Sequence, residues 1–246
     1  MFCSHCGKEI ADSQEFCQYC GARVGAPTPG AGAREKTPWE DRAAQGAISG
    51  LLKTGKGALF SPSEFFRKMS VTGGFTDPLL YAMIVGMVGL MFLYFWDTFL
   101  HSTMHTILPP EMRGAQDILQ NIGIAVLSVL SPLLVILFLF VLTGMFHLLL
   151  LMVRGVKAGF EGTFRSVAYS FSSMIFLSVP FCGRLIAMVW FVVLVIIGIK
   201  EAHETSGGKA TFAVLFPFVL CCGFAIAVAL LMMGVMAASI GATAQH

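Results

Sequence analysis

Four of the seven cysteines lie in the first 20 residues, in two short motifs with metal-ligand spacing. Residues 3–7 read CSHCG and residues 17–21 read CQYCG. Four thiolates complete a tetrahedral coordination of Zn²⁺, which makes such a metal structural and not catalytic. A disulfide pair, a redox dithiol and bound iron are the alternatives. The pattern predicts one structural Zn²⁺ bound by Cys3, Cys6, Cys17 and Cys20.

A second group of possible metal ligands follows the first long apolar stretch. Asp97, His101 and His105 fall at i, i+4 and i+8, on one face of a continuing helix. Two imidazoles and a carboxylate can bind a metal, although ordinary polar residues at a membrane interface have the same composition. A carboxylate near a bilayer usually has a partner, and Arg184 is the candidate for Asp97.

Other polar residues lie inside apolar stretches. His147 is interpreted either as an interhelical hydrogen-bonding residue or as part of a polar path. Ser166, Tyr169, Ser170 and Ser173 share one helical face, which either packs against another helix or lines a wet or lipid-filled cavity. Nucleophile–base motifs, phosphate loops and dinucleotide fingerprints do not occur in the sequence, so we expect neither an enzyme nor a nucleic-acid-binding protein.

The composition indicates an integral membrane protein. Hydrophobic residues make up 56% of the 246 residues and charged residues only 12%, against about 25% charged in soluble domains. Most charges precede residue 78. The sequence predicts four regions: a zinc-binding head over 1–24, a flexible linker over 25–37, membrane-surface helices over 38–77, and a transmembrane domain over 78–246.

The membrane-surface region rests on two patterns. Ile48, Leu51, Leu52 and Leu59 recur at helical spacing, which favours an amphipathic helix on the membrane; the alternative is a marginal helix interrupted by four glycines. Residues 61–64 read SPSE, which combines an N-cap serine, a first-turn proline and a glutamate at the third position of a helix.

Five apolar segments predict an all-α polytopic membrane protein with five transmembrane helices. Pro132 is expected to divide the second segment, and Pro217 to kink the fifth. The predicted segments are 78–100, 123–153, 166–180, 185–199 and 211–240.

Positive charge predicts the orientation of these spans. All Lys and Arg except Arg113 and Arg184 fall on one side of the predicted topology. Because positively charged loops stay in the cytoplasm, we expect a multi-pass inner-membrane protein with a cytoplasmic N-terminus and the C-terminus outside. A reducing cytoplasm also favours zinc over a disulfide.

The third and fourth segments form a short central hairpin around residues 180–184. A 15-residue α-helix is only about 23 Å long, which is shorter than the hydrocarbon core. We therefore expect the polar face of the third segment to face protein, and the chain to form a homo-oligomer.

Several sequence blocks resemble a known family. They are 61–69 (SPSEFFRKM), 77–82 (DPLLYA), 159–170 (GFEGTFRSVAYS), 198–203 (GIKEAH) and 206–210 (SGGKA). In this order they resemble the prokaryotic branch of the Yip (Ypt- or Rab-interacting) membrane proteins. The resemblance implies five transmembrane helices, a cytosolic N-terminus and a tendency to assemble; eukaryotic relatives are linked to Rab GTPases and vesicle traffic. The head resembles zinc ribbons of bacterial membrane proteins.

Two hypotheses for function follow. The first is a membrane scaffold or adaptor that sits in the lipid bilayer, shapes the membrane or serves traffic, and recruits a cytosolic protein through its zinc ribbon. The second is a transporter or channel whose path uses His147, Asp97 and the Ser/Tyr face. Transporters often carry internal symmetry, and none is visible in the sequence.

Overall fold

A computed structural model describes residues 34–105 and 113–243, together with Gln18 and Tyr19. The chain divides into two compact units, Met1–Arg34 and Glu35–His246. In the first unit, Gln18 and Tyr19 form a turn between Cys17 and Cys20. The four predicted zinc ligands, Cys3, Cys6, Cys17 and Cys20, lie outside the described residues.

The second unit is helical. Its α-helices are α1 (Arg42–Gln45), α2 (Ala47–Phe60), α3 (Pro62–Lys68), α4 (Thr76–His105), α5 (Arg113–Met152), α6 (Gly159–Ser170), α7 (Gly183–Ala202) and α8 (Gly207–Thr243). A 3₁₀-helix, Phe171–Ser178, continues directly from α6. Within the described residues, strand pairing is limited to one bridge between Glu35 and Met69.

Three described helices are long and apolar enough to cross a bilayer. They cover Thr76–Thr103, Val129–Met152 and Gly183–Ala202, and α8 adds a shorter apolar stretch, Gly207–Leu220. Large apolar side chains such as Phe95, Leu137 and Met188 are more than half exposed. Such a surface is unfavourable in water but suits hydrocarbon, so the helices are those of a membrane protein.

Helix α5 differs from the expectation that Pro132 would divide it. The helix continues through Pro132 from Arg113 to Met152, and α8 likewise continues through Pro217. A proline removes only one backbone donor. Long apolar helices tolerate this loss, because ending the helix in hydrocarbon would leave many more backbone groups unpaired.

The first limb of the predicted hairpin is not the 15-residue α-helix expected from the sequence. It begins earlier, at Gly159, and becomes a 3₁₀-helix after Ser170. Ser172 and Ser173 donate hydroxyl hydrogen bonds to the carbonyl oxygens of Tyr169 and Ser170, 2.7 and 3.0 Å away. These bonds compete for helix carbonyls. Because a 3₁₀-helix rises about 2.0 Å per residue, the whole limb is about 34 Å long and its predicted shortness disappears.

Two glycines bring α4 against the 3₁₀-helix. A Cβ atom at Gly89 would lie 2.8 Å from the Cβ of Met174 and 3.1 Å from its carbonyl oxygen. At Gly86 it would lie 3.3 Å from the Phe171 ring. Because no larger residue fits at Gly89 without a shift, the close approach of these two helices depends on it.

Helix α2 packs through its small residues. Gly50, Thr54 and Ala58 are buried, whereas Ile48 and Leu52 are exposed. Of the four glycines noted in the sequence, Gly46 separates α1 from α2 with a positive φ of 84°, and the other three lie within a regular helix. At the start of α3, Pro62 takes the first helical position as predicted, although the Ser61 side chain makes no capping bond.

Candidate functional site

The guanidinium of Arg165 forms a buried ion pair at the start of the bundle. The Arg165 side chain is 1% exposed and that of Glu40 is 5% exposed. Arg165 Nη2 donates to Glu40 Oε1, Nε donates to the carbonyl oxygen of Ser70 at 2.6 Å, and Nη1 donates to that of Gly74 at 3.2 Å. A buried charge is tolerated only with partners of this kind.

Glu40 is held by a local turn as well as by Arg165. The backbone N–H of Thr37 donates to Glu40 Oε2 at 3.2 Å, and the backbone N–H of Glu40 donates to Thr37 Oγ1 at 3.4 Å. This reciprocal pair has the form of a capping box. The Tyr169 hydroxyl donates to Glu40 Oε1 at 2.5 Å and accepts a hydrogen bond from the Thr37 hydroxyl at 3.0 Å. We call Thr37, Glu40, Arg165 and Tyr169 the Glu40–Arg165 cluster.

Trp39 attaches the same turn to α2 and α4. Its indole N–H donates to the carbonyl oxygen of Asp77 at 2.8 Å, and its backbone N–H donates to Thr54 Oγ1 at 2.9 Å. Arg42 lies over the indole, 4.7 Å from the ring centroid, and forms an ion pair with Asp77 at 2.8 Å. The ring is therefore fixed at both its polar edge and its face.

These contacts anchor residues 35–45 on the bundle. Thr37, which the sequence analysis assigned to a flexible linker over 25–37, is 3% exposed. Glu35 exchanges backbone hydrogen bonds with residues 68 and 70. The groups of the Glu40–Arg165 cluster bind one another and are closed to solvent, so their chemistry is structural: they hold the chain that leads from the first unit into the second.

Sequence reasoning missed this cluster, although a signal was present. Residues 37–40 read TPWE, the same combination of cap, proline and glutamate that marked residues 61–64. Arg165 also stands directly before the apolar run that begins at Ser166. A charge beside a membrane segment requires a partner. The pattern alone does not show that a glutamate 125 positions earlier provides it.

A second polar chain connects α5, α6 and the end of α7. The Nδ1 atom of His203 accepts hydrogen bonds from the backbone N–H groups of Lys157 and Ala158, both at 3.1 Å. The proton of a neutral His203 is therefore on Nε2, which donates to Thr163 Oγ1 at 2.9 Å. The Thr163 hydroxyl then donates to His147 Nδ1 at 2.8 Å. His147 is thus an interhelical hydrogen-bonding residue, the first of its two interpretations.

The Ser/Tyr face points into the protein, as predicted. Ser166, Tyr169, Ser170 and Ser173 are all 0% exposed. Ser166 and Ser170 donate to carbonyl oxygens four residues earlier in their own helix, at 2.8 and 2.7 Å. Gly198 of α7 lies against this face, because a Cβ atom there would be 3.0 Å from the Cβ of Ser166. One chain covers the face by itself.

Asp97 and Arg184 are paired, which confirms the predicted partnership. Arg184 Nη2 lies 2.6 and 2.7 Å from the two carboxylate oxygens of Asp97. Nearby, the indole N–H of Trp96 donates to the carbonyl oxygen of Ser178 at 3.2 Å. In the described part of the chain, His, Cys, Asp and Glu residues form no group of three suited to a metal ion. The His105 side chain lies outside that part.

The two ends of the bundle carry separate sets of contacts. Besides Arg42 and Asp77, the end where α4 begins joins Arg67 to Glu201, the Gly74 N–H to Glu161, and Lys209 to the Arg154 carbonyl oxygen. We call this the Asp77 end. The opposite end, with Asp97 and Arg184, is the Asp97 end.

Comparisons with known proteins identify both units. A model of the Yip1 domain matches residues 56–239, and a model of a zinc-ribbon domain matches residues 2–24. Neither the curated proteins nor the solved structures include a match. The Yip1 match covers most of the chain and agrees with the resemblance found in the sequence. The protein therefore belongs to the Yip1 family of membrane proteins and carries a zinc-ribbon domain at its N-terminus.

Proposed function

We propose that this protein is a membrane-embedded adaptor whose cytosolic zinc-ribbon head recruits a protein to the membrane. The observation that carries the proposal is the anchoring of residues 35–45 by the Glu40–Arg165 cluster. A recruiting domain is effective when its connection to the membrane is secure, because the tether determines its effective concentration there. A buried ion pair and the hydrogen-bonded indole of Trp39 hold the end of that tether at the second unit.

The head provides a donor set that suits zinc. Four cysteines in two CxxCG motifs offer four thiolates, and Gln18 and Tyr19 form a turn between the second pair. The ion would be bound by Cys3, Cys6, Cys17 and Cys20, and its contribution is the folding of the head. Because four thiolates would complete the coordination of the ion, a protein partner would contact the surface of the folded ribbon and not the metal.

Recruitment can be tested in living cells with a variant of the head. Crosslinking of the full-length wild-type protein is expected to trap a cytosolic protein that the Cys17→Ser variant does not trap, because loss of one thiolate opens the ribbon. Quantitative mass spectrometry of the crosslinked products measures the difference. Cys182→Ser, which removes an exposed cysteine of the second unit, is the matched control. Identical partners for the wild type and Cys17→Ser would contradict the proposal.

We further propose five crossings, with the Asp77 end in the cytoplasm. Contacts at the Asp77 end join α3, the end of α7 and the beginning of α6, as in the pairs of Arg67 with Glu201 and of Glu161 with the Gly74 N–H. Chain segments that meet at one end are separated by an even number of crossings. Between α3 and the beginning of α6 the chain would cross twice, through α4 and α5. It would cross twice more through the α6–3₁₀ limb and α7, and α8 would add the fifth crossing.

The dimensions of α4 support the same arrangement. Between Asp77 and Asp97 the helix rises about 30 Å, which equals the thickness of a hydrocarbon core. Arg184 meets Asp97 at the far end, so the beginning of α7 lies at the level of Asp97 in α4. The Asp77 end also holds most of the positive charge, which favours the cytoplasmic side of the inner membrane.

Thiol labelling of intact cells tests this topology. We expect a membrane-impermeant maleimide to label Cys182 from outside, since that residue is exposed in the loop before α7. A Lys209→Cys variant that also carries Cys182→Ser should react only after the cells are opened. A reporter fused after His246 should be active outside the cytoplasm, and activity in the cytoplasm would contradict five crossings.

The transport hypothesis receives no support from the described residues. His147 binds Thr163, Asp97 binds Arg184 at the Asp97 end, and the serines of the Ser/Tyr face bind their own backbone. Self-assembly stays a prediction. The polar face that motivated it is covered within one chain, so a homo-oligomer would have to use another surface.

A further inference from the structure

A groove between α2, α4 and the 3₁₀-helix combines an apolar lining with a single positive charge. It has a volume of about 240 Å³. Leu52, Leu59 and Phe60 line it from α2, Ile84 and Val88 from α4, and Ile175 from the 3₁₀-helix. The Tyr81 hydroxyl and the Ser172 hydroxyl, which also border the groove, bind each other at 2.8 Å. The remaining lining is therefore apolar apart from Lys56.

One wall of the groove is a helix that can cross a bilayer. Val88 belongs to the candidate span Thr76–Thr103, and Ile84 and Ile175 are also partly exposed. The other wall is α2, whose outward stripe contains Ile48, Leu52, Lys56 and Phe60 at intervals of four residues. The three apolar members of this stripe are 66–76% exposed. Such a stripe is suited to the boundary between headgroups and acyl chains.

Lys56 differs from Lys53 and Lys68, whose side chains have polar partners. Lys53 donates to Gln45 at 3.0 Å and Lys68 binds Glu64 at 2.7 Å, but Lys56 has neither an ion pair nor a hydrogen bond within the described residues. Its side chain is exposed at the edge of an apolar groove. An ammonium group in that position satisfies its charge by reaching an anion at the membrane surface.

We propose that this groove binds an anionic phospholipid. One acyl chain occupies the apolar groove between α2 and α4, and Lys56 binds the headgroup phosphate. The groove is too small for a whole lipid, so the second chain stays in the bilayer. This site would attach α2 to the membrane next to the anchored residues 35–45, and it is independent of the zinc-ribbon head.

Lipid retention by the full-length protein tests whether the Lys56 ammonium group binds the headgroup phosphate. The protein is purified in mild detergent from membranes with equal amounts of phosphatidylglycerol and phosphatidylcholine, and native mass spectrometry counts the retained lipids. Wild type is expected to prefer phosphatidylglycerol. Lys56→Gln should reduce that preference about fivefold, the effect of one lysine at an anionic surface. Lys53→Gln, on the same helix but outside the groove, is the matched control, and an equal reduction there would overturn the proposal.

A second pair of variants tests the acyl chain. Val88→Trp fills the groove and should abolish retention of both lipids, whereas Met91→Trp, on the same helix but outside the groove, should retain them. Normal retention by Val88→Trp would overturn the proposal. Two other results would also overturn it: displacement of the lipid by glycerol phosphate alone, which would show a site for the headgroup only, and retention of a free fatty acid in place of a phospholipid.

Discussion

Replacement of Arg165 by methionine is expected to lower the free energy of unfolding of the bundle by about 3–5 kcal/mol. Removing one partner of a buried ion pair leaves the other charge without compensation, and this costs more than the pair itself contributes. Glu40 would retain only Tyr169 and its own turn, at 5% exposure. It could reach water only if residues 35–45 left the bundle. Denaturant titration in detergent measures the loss of stability. Limited proteolysis near Arg42 measures the release of residues 35–45 from the bundle.

Two further variants test whether the loss of stability in Arg165→Met comes from the uncompensated buried charge. Arg67→Met removes an arginine at the same end that is 60% exposed and pairs with Glu201, so its effect should be at most about 1 kcal/mol. The double variant Glu40→Leu with Arg165→Met removes both charges and should recover part of the lost stability. Apolar pairs can replace buried ion pairs at little cost, but the carbonyl oxygens of Ser70 and Gly74 lose their donor. Arg165→Met with the stability of wild type would contradict the interpretation of the cluster as an anchor.

Removal of zinc is expected to unfold the head and to leave the bundle folded. A segment of about two dozen residues buries too little apolar surface to fold without a metal, and binding of structural zinc supplies about 10–16 kcal/mol in comparable small domains. Elemental analysis of the full-length protein should give about one zinc per chain, and Cys17→Ser should give none. The unfolding transition of the bundle should stay the same, since the bundle belongs to the other compact unit of the chain.

The control for this experiment is Cys182→Ser, which should keep the zinc because Cys182 is an exposed cysteine of the second unit. Preparation in a reducing buffer excludes loss of ligands by oxidation. Two results would contradict structural zinc binding. One is a wild-type protein without metal, and the other is a disulfide between Cys3 and Cys20 in freshly purified full-length protein.

Features that depend on local pattern were predictable from the sequence. The zinc-ribbon domain follows from two CxxCG motifs, the membrane class from long apolar segments, and the beginning of α3 from residues 61–64. The pairing of Asp97 with Arg184 was also predictable, because both residues flank apolar segments on the same predicted side and opposite charges there attract. In each case the physical cause acts within a segment or through the membrane boundary.

Only the tertiary structure decided the Glu40–Arg165 cluster, the 3₁₀-helix and the groove between α2 and α4. The partners of Arg165 and Tyr169 lie 125 and 129 positions earlier, and their contact depends on where α6 packs against residues 35–45. The 3₁₀-helix follows a serine-rich stretch that would also fit an α-helix, and Gly86 and Gly89 of α4 provide the space for it. The outward stripe of α2 exists because Gly50, Thr54 and Ala58 pack inward. Sequence periodicity detects a helix and its faces, but close packing of distant segments determines which face is buried.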